Sequence, residues 1–357
     1  MYISHLKLKN FRNHETLELN PSPKLNIIIG DNAEGKTNIV EAIHFLSLAR
    51  SFRTYQNADL ILKGRDFALI EARVEQESTK REIRAILTDS SKKITCEGKP
   101  VKKISELSSL INVIVFQPKD VLMFNDSPNV RRNYLDINIS KKSPIYLDAL
   151  MRYEKLLKER NVILKNDEPD MVQLDVITSE IIEVSETIIN YRAAYVREIN
   201  KLLSKIITQL KGEKEKAELI YHPFLLIDKS FKEKAEKAYK RSLNRDIKMK
   251  ATQIGVHRED ITMMLNDKDI STHGSQGENR IVVIALKLCP YFLIEDRDLK
   301  PIIVLDDVMS ELDKDHQKRL ISFVEKLEQV FITAVNTDIK NASIFEVKKH
   351  TLIRRNA

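Results

Sequence analysis

Two stretches of this 357-residue chain hold residue types whose spacing suits phosphate chemistry. The first is Gly30-Asp31-Asn32-Ala33-Glu34-Gly35-Lys36-Thr37, a glycine-framed loop ending in Lys-Thr. Gly30 and Gly35 let the backbone turn sharply and approach a ligand closely. Successive N–H groups at the start of a helix then point into one concavity, where phosphate oxygens bind well. Lys36 adds a point charge within reach of the β- and γ-phosphates of ATP, and the Thr37 hydroxyl is placed to ligate Mg2+. A chance match in a glycine-containing turn is the bland alternative. The chain has only 8 glycines, and both flanks of the loop are right for it. The second stretch is Pro301-Ile302-Ile303-Val304-Leu305-Asp306-Asp307, an apolar strand ending in paired acids. Asp306 would hold Mg2+, directly or through water, and Asp307 would orient or deprotonate an attacking water.

Other elements must position these groups. Leu25-Asn26-Ile27-Ile28-Ile29 reads as a buried strand leading into the loop, and residues 38–46 carry apolar positions 39, 42, 43 and 46 at helical spacing. A phosphate loop requires this strand–loop–helix context; Asn38 opens the helix and joins the candidate site. Residues 1–20 alternate as two strands around Arg12-Asn13-His14, where Arg12 and Asn13 face either solvent or a nucleotide base. Residues 67–75, 82–88 and 93–97 read as antiparallel strands with a charged turn near Glu77-Ser78-Thr79. Residues 111–116 form another buried strand ending at Gln117-Pro118; Gln117 is either a surface residue or a sensor of Mg2+ and the attacking water. Gly274-Ser275-Gln276-Gly277-Glu278 opens a helix over 278–289, and Ser310-Glu311-Leu312-Asp313 precedes one over 315–328.

From about residue 130 the pattern turns helical. A helix is predicted over 144–165, stopped by Asn166-Asp167-Glu168-Pro169, and a long one over 172–211, ended by Gly212. The apolar positions of the long helix (Leu174, Ile177, Ile181, Val184, Ile188, Tyr191, Tyr195, Ile199, Leu202, Ile206 and Leu210) follow a coiled-coil seam. At the α-helical rise it is a stub of only ~60 Å. Residues 229–250 carry nine Lys/Arg against three Asp/Glu, with Phe231, Ala235, Ala238, Ser242, Leu243 and Ile247 as a buried stripe. That face is either solvated surface or a seat for DNA phosphates, with Lys232, Lys240, Arg241 and Arg245 as candidate contacts.

Composition narrows the classes. Hydrophobic content of 42% and charged content of 31% describe a globular chain, and its apolar runs are too short to span a membrane. Two cysteines cannot build a disulfide framework or a four-cysteine zinc site. With no signal-peptide run at the start, cytoplasmic residence is the default expectation. A net charge of +7 permits an anionic partner.

Loop, Gly-Ser-Gln-Gly, Asp-Asp and Ser-Glu-Leu-Asp follow the order of phosphate loop, signature, Walker B and D-loop in ABC-type ATPases. There the signature of one subunit covers the nucleotide held by another, which predicts ATP-dependent homodimerisation with Ser275, Gln276, Gly277 and Asp313 acting in trans. The whole chain resembles the RecF family of bacterial recombination-repair ATPases, which have SMC-like heads. The resemblance rests on Leu6-Lys7-Leu8-Lys9-Asn10-Phe11-Arg12-Asn13, the loop through Asn38, Ser127-Pro128 with Arg131-Arg132, His257-Arg258-Glu259-Asp260, and Leu305 through Asp313. It implies an α/β fold in which 1–125 and 255–357 form an ABC-type ATPase head with a mixed sheet. A helical second lobe, 126–254, would carry the short coiled-coil arm, with the signature helix 274–289 packing toward it. It also implies a cytoplasmic protein of DNA repair and replication that clamps gapped DNA or single-strand/double-strand junctions. With RecR and RecO it would load RecA and support the SOS response, and slow DNA-stimulated ATP hydrolysis would release it. Two positions depart from the pattern: Glu278 stands where Gln is usual, and Phe331–Asn336 lacks the switch His, leaving Thr333 or Asn336 to meet the γ-phosphate. Another SMC-like repair head, a transporter ATPase subunit, and a purely structural nucleotide binder without turnover, for which the missing switch His and the short Asp307 speak, are the alternatives. The absence of any CxxC and the short arm weigh against the first; the Asp-Asp pair and the basic helical insert weigh against the second.

Overall fold

The computed structural model describes residues 1–77, 79–102 and 104–355, with backbone alone at 104 and 105. The expected turn at Glu77-Ser78-Thr79 therefore lies, at Ser78, outside the described residues. The chain divides into two compact units, the first made of Met1–Val121, Lys205–Lys214 and Gln276–Ala357, the second of Leu122–Ser204 and Glu215–Ser275.

Parallel strands form the central sheet of the first unit, and the inner ones are short β-branched runs buried throughout, as strands covered on both sides are. They are β3 (Leu25–Ile29), β8 (Val113–Phe116), β12 (Ile302–Leu305), β13 (Val330–Ala334) and β14 (Ser343–Lys348), mutually parallel, with β15 (Thr351–Arg355) returning antiparallel. Their order is β15-β14-β3-β13-β12-β8. Because the first five run the same way, the loops leaving β3, β13, β12 and β8 gather at one edge, where open α/β sheets bind ligands. A second, antiparallel sheet orders β2-β1-β4-β5-β6-β7. It contains β1 (Tyr2–Phe11), β2 (His14–Leu19), β4 (Ala68–Gln76), β5 (Thr79–Leu87), β6 (Lys92–Cys96) and β7 (Lys99–Pro100). Helix α1 (Lys36–Leu48) joins the two sheets in one core: its Ile39, Ile43 and Phe45 pack in the same cluster as Leu6 and Leu8 of β1, Ile70 of β4 and Val304 and Phe331 of the central sheet. Burying each such side chain stabilises the fold by about 1.5–3 kcal/mol. Helices α2 (Ile104–Leu110), α8 (Gln276–Phe292) and α9 (Lys314–Val324) complete the unit.

The second unit is helical, with α3 (Pro128–Lys142), α4 (Pro144–Leu164), α5 (Met171–Lys211, whose last turns belong to the first unit), α6 (Phe231–Met249) and α7 (Ile270–His273). It also holds a small sheet that the residue pattern did not predict: β9 (Ala217–His222), β10 (Asp260–Leu265) and β11 (Lys268–Asp269), ordered β11-β10-β9. This sheet moves the expected lobe boundary. Residues 255–275 go with the second unit because β10 pairs along its length with β9. Residues 122–125 also join the second unit, while 205–214 join the first. Helix α3, likewise unpredicted, buries only Arg131, Tyr134, Leu135 and Ile139, too few apolar positions to register as a periodic stripe.

The long helix α5 is present as expected, but its buried stripe is broader than a two-stranded seam. Ile182, Ser185, Ile189, Arg192, Val196, Leu203 and Ile207 are buried beside the expected positions. Arg192 forms salt bridges with Asp136 and Glu259 at 2.8 and 2.6 Å, and Asn200 takes the backbone of Leu219 at both donor and acceptor. Among the described residues no helix is long and apolar enough to cross a membrane.

Candidate nucleotide-binding site

Strand β3 delivers the chain to the phosphate loop, and two glycines are forced there by close neighbours. Gly30 has φ 153, and a Cβ on it would lie 2.4 Å from the Val347 carbonyl oxygen of β14. Gly35 has φ 105, and its Cβ would lie 2.7 Å from both Asn13 Oδ1 and His14 Nε2. A side chain would thus clash with backbone at one end and with the β1–β2 turn at the other. Asp31, Asn32 and Ala33 form the exposed tip, Glu34 is half-buried, and Lys36 is 8% exposed. Lys36 Nζ donates to the carbonyls of Gly30 at 2.7 Å and Asp31 at 2.8 Å, so the lysine folds back over its own loop. Burial lowers its pKa, opposed by the nearby acids Asp307, Asp306, Asp31 and Glu34.

Walker B meets the loop directly. Thr37 Oγ1, on the first turn of α1, donates to Asp306 Oδ1 at 3.0 Å. Asp306 is 4% exposed, and burial pushes its carboxyl pKa up, against hydrogen bonds from Thr333 and Thr37. A hydroxyl beside a single carboxylate suits Mg2+, which prefers one or two protein oxygens with the remainder from phosphates and water; Thr37 and Asp306 would hold it there.

Thr333 corrects an expectation. Rather than facing a γ-phosphate, it is buried in β13, donating to Asp306 Oδ1 at 2.7 Å and accepting from the Asp307 N–H at 2.8 Å. Asn336 is exposed beyond the end of that strand. Asp307 sits at φ 50, a left-handed conformation that Asp and Asn tolerate far better than most residues. Gln117 leaves β8 beside Walker B: Phe116 pairs with Leu305, and its carbonyl accepts from Asp306 N–H at 2.9 Å.

Arg12, for which the sequence leaves solvent or a base open, is turned toward α1. Its Nε and Nη2 donate to the fully buried Glu41 carboxylate of α1 at 2.9 and 2.6 Å. Asn13 stays at the loop, accepting from Asn38 Nδ2 at 2.6 Å and meeting His350 Nδ1 at 2.7 Å. Three residues of this neighbourhood had no motif to point to them: Glu41, Arg53 and His350. Arg53 Nη1 donates to Asn38 Oδ1 at 2.8 Å, and its charge reaches Asp306.

The trans candidates stand on other elements. Ser275 ends the last stretch of the second unit, and Gln276 and Gly277 open α8 in the first. A Cβ on Gly277 would meet nothing within 4 Å. Asp313 caps α9, accepting from the N–H groups of Asp315 and His316 at 3.0 and 2.9 Å. Among the described residues no hydrogen bond or ion pair joins Gln276, Gly277 or Asp313 to the phosphate loop. Glu278 lies 3.5 Å from Lys211, which supplies an opposite charge, and Arg280 of the same helix pairs with Glu311 in the D-loop. In the second unit, α6 presents Lys232, Lys240, Arg241 and Arg245 exposed and outside any ion pair among the described residues. Lys234, Lys237 and Lys250, by contrast, pair with Asp228, Glu233 and Asp167. The buried face of α6 is Phe231, Ala235, Tyr239 and Asp246, with the other expected stripe positions half-buried.

Comparison with known proteins agrees with this geometry. The family model for the RecF/RecN/SMC N terminal domain matches residues 2–352. The DNA replication and repair protein RecF of Halalkalibacterium halodurans is 34% identical over 373 residues, covering 99% of this chain and 100% of that protein. A solved structure of the recombination mediator protein RecF with ATP, of the RecFOR pathway, superposes with TM-score 0.90 at 29% identity, covering 99% of this chain and 98% of the other. The Smc head domain of Pyrococcus furiosus shares the fold at TM-score 0.59 and 17% identity, covering 99% of this chain and 96% of its own.

Proposed function

This chain belongs to the RecF proteins of the RecF/RecN/SMC N-terminal domain family, and we propose that it binds Mg-ATP at the phosphate loop and closes on DNA as a nucleotide-dependent homodimer. The observation that carries the reading is the meeting of Thr37, Asp306 and Lys36 at the edge of the central sheet. An incoming triphosphate competes with the Gly30 and Asp31 carbonyls for Lys36 and offers it charged oxygens in exchange, each such bond contributing about 1.5–3 kcal/mol. Mg2+ held by Thr37 and Asp306 would supply positive charge against the phosphates. Asp307, next to Asp306, is placed to orient water for hydrolysis, which proceeds slowly, is stimulated by DNA, and releases the clamp.

Closure across two chains is supported by Gly277. Its backbone does not require glycine, none of the described residues crowds it, and a second subunit pressing on the α8 N-terminus supplies the reason. The DNA partner is gapped duplex or a single-strand/double-strand junction, met by the exposed cations of α6. RecR is the immediate protein partner; with RecO it brings RecA to the junction, and the SOS response follows. The protein works in the cytoplasm. Light scattering with Mg-ATP tests the core of this reading. Wild type should shift to a dimer and Lys36→Ala should stay monomeric, because the β/γ-phosphates lose their buried counter-charge. Dimer formation by Lys36→Ala at the same ATP concentration would remove the loop from the mechanism.

A further inference from the structure

The turn between β14 and β15 lies against the phosphate loop, and no motif reaches it. His350 N–H donates to Glu34 Oε2 at 3.2 Å, and the His350 carbonyl meets His14 Nδ1 at 2.9 Å. The same hairpin places the Val347 carbonyl where Gly30 would carry a Cβ. Side-chain chemistry then fixes the state of the His350 ring. A guanidinium has no acceptor, so the Asn38 atom 2.8 Å from Arg53 Nη1 is Oδ1. Asn38 is left with Nδ2 to donate to Asn13 Oδ1 at 2.6 Å, and Asn13 is left with Nδ2 to donate to His350 Nδ1 at 2.7 Å. That nitrogen must carry a lone pair. It also lies 3.1 Å from the Glu34 carbonyl oxygen, with which it can bond only when protonated. Both bonds cannot exist together. A neutral ring protonated at Nε2 accepts from Asn13; an imidazolium donates to the Glu34 carbonyl and turns its N–H against Asn13 Nδ2.

We propose that His350 is a positioning residue of the nucleotide site: as a neutral acceptor at the end of the Arg53–Asn38–Asn13 chain, it holds the β1–β2 turn and the phosphate loop in their binding geometry, and protonation of its ring releases that hold. The assignment rests on the ATP reading above. Among the described residues, the titratable groups in contact with His350 are Glu34 from the loop and His14 from β2, and Lys348 and Lys349 precede it in its own hairpin. Burial lowers the pKa of His14.

The test is the dissociation constant for Mg-ATP of wild type, His350→Asn and His350→Ala, at about pH 8 and about pH 6, on either side of the usual histidine range. Asparagine places an oxygen acceptor where Nδ1 stood and does not titrate. At the higher pH, His350→Asn should match wild type within about twofold and His350→Ala should bind roughly fivefold more weakly, one net hydrogen bond lost. On acidification the ratio of wild-type to His350→Asn dissociation constants should rise roughly two- to threefold; titration of ATP itself cancels in that ratio. Equal binding by His350→Ala and wild type, or a ratio that does not move with pH, overturns the role of His350. Unchanged thermal unfolding of nucleotide-free His350→Asn confirms that the comparison concerns the site and not the fold. Failure of wild type to bind ATP at either pH overturns the nucleotide reading itself, a separate result.

Discussion

Asp306 shows how one side chain serves function against stability. Its carboxyl is buried, and its pKa lies above the ordinary 3.8 even with two threonine hydroxyls donating to it. The folded chain therefore holds this proton more tightly than the unfolded one. The contribution of this group to stability is present below the ordinary value and is lost as pH rises through the raised one. Asp306→Asn keeps an oxygen acceptor for Thr37 and Thr333 and removes the charge. In nucleotide-free protein at neutral pH it should raise stability by about 1 kcal/mol, a gain that fades as pH falls to the carboxylate range, while Mg-dependent ATP binding weakens. Urea unfolding at several pH values checks the first part; a variant no more stable than wild type at neutral pH would mean that the buried charge is already compensated. Asp307 adds a backbone constraint. At φ 50 asparagine is tolerated, so Asp307→Asn should retain ATP binding and the dimer while turnover drops by at least about 100-fold. Glutamate, common at this place in transporter ATPases, fits the left-handed backbone less well, and Asp307→Glu should lower the unfolding temperature where Asp307→Asn does not.

At the level of elements, the unusual Glu278 of the signature finds its balance in a helix far away in sequence. Lys211, at the end of α5, lies 3.5 Å from it. Lys211→Met should take one opposite charge away from the acid where a second subunit's triphosphate is expected and weaken ATP-driven dimerisation about fivefold. Adding Glu278→Gln should restore it, and sedimentation of the single and double variants measures both effects; no rescue by the double variant would separate Lys211 from the signature. Elements were legible wherever one residue pattern decided them: the β-branched runs of β3, β8, β12 and β13, and the long period of α5. What escaped was decided by distant partners. Strands β9 and β10 are short, and each becomes a strand by pairing with the other across the intervening α6. Glu41, Arg53 and His350 stand outside any motif, and folding alone brings them to the loop.

For the whole molecule, the excess of nine Lys/Arg over three Asp/Glu in 229–250 nearly equals the net charge of +7 of the entire chain. Reversing Lys240, Arg241 and Arg245 to Glu should weaken DNA binding at low salt and flatten the dependence of log K on log salt by about 0.9 for each phosphate left without its cation. Titrations at several salt concentrations check this, and an unaltered slope would return α6 to ordinary solvated surface. The two-part organisation was legible from the change of pattern near residue 130, but its seams were not. The chain leaves and re-enters the first unit, so strand pairing and helix ends, not local composition, set where each unit begins.

The lysine that grips its own loop has a consequence for selectivity. Because Lys36 donates to two carbonyls of its own loop, an anion that engages the lysine alone merely exchanges partners. Inorganic phosphate and AMP should therefore be poor competitors at concentrations where ATP saturates. A ligand whose chained phosphates reach both the loop amides and the lysine gains contacts that a single phosphate does not, so polyphosphates should be preferred over single ones.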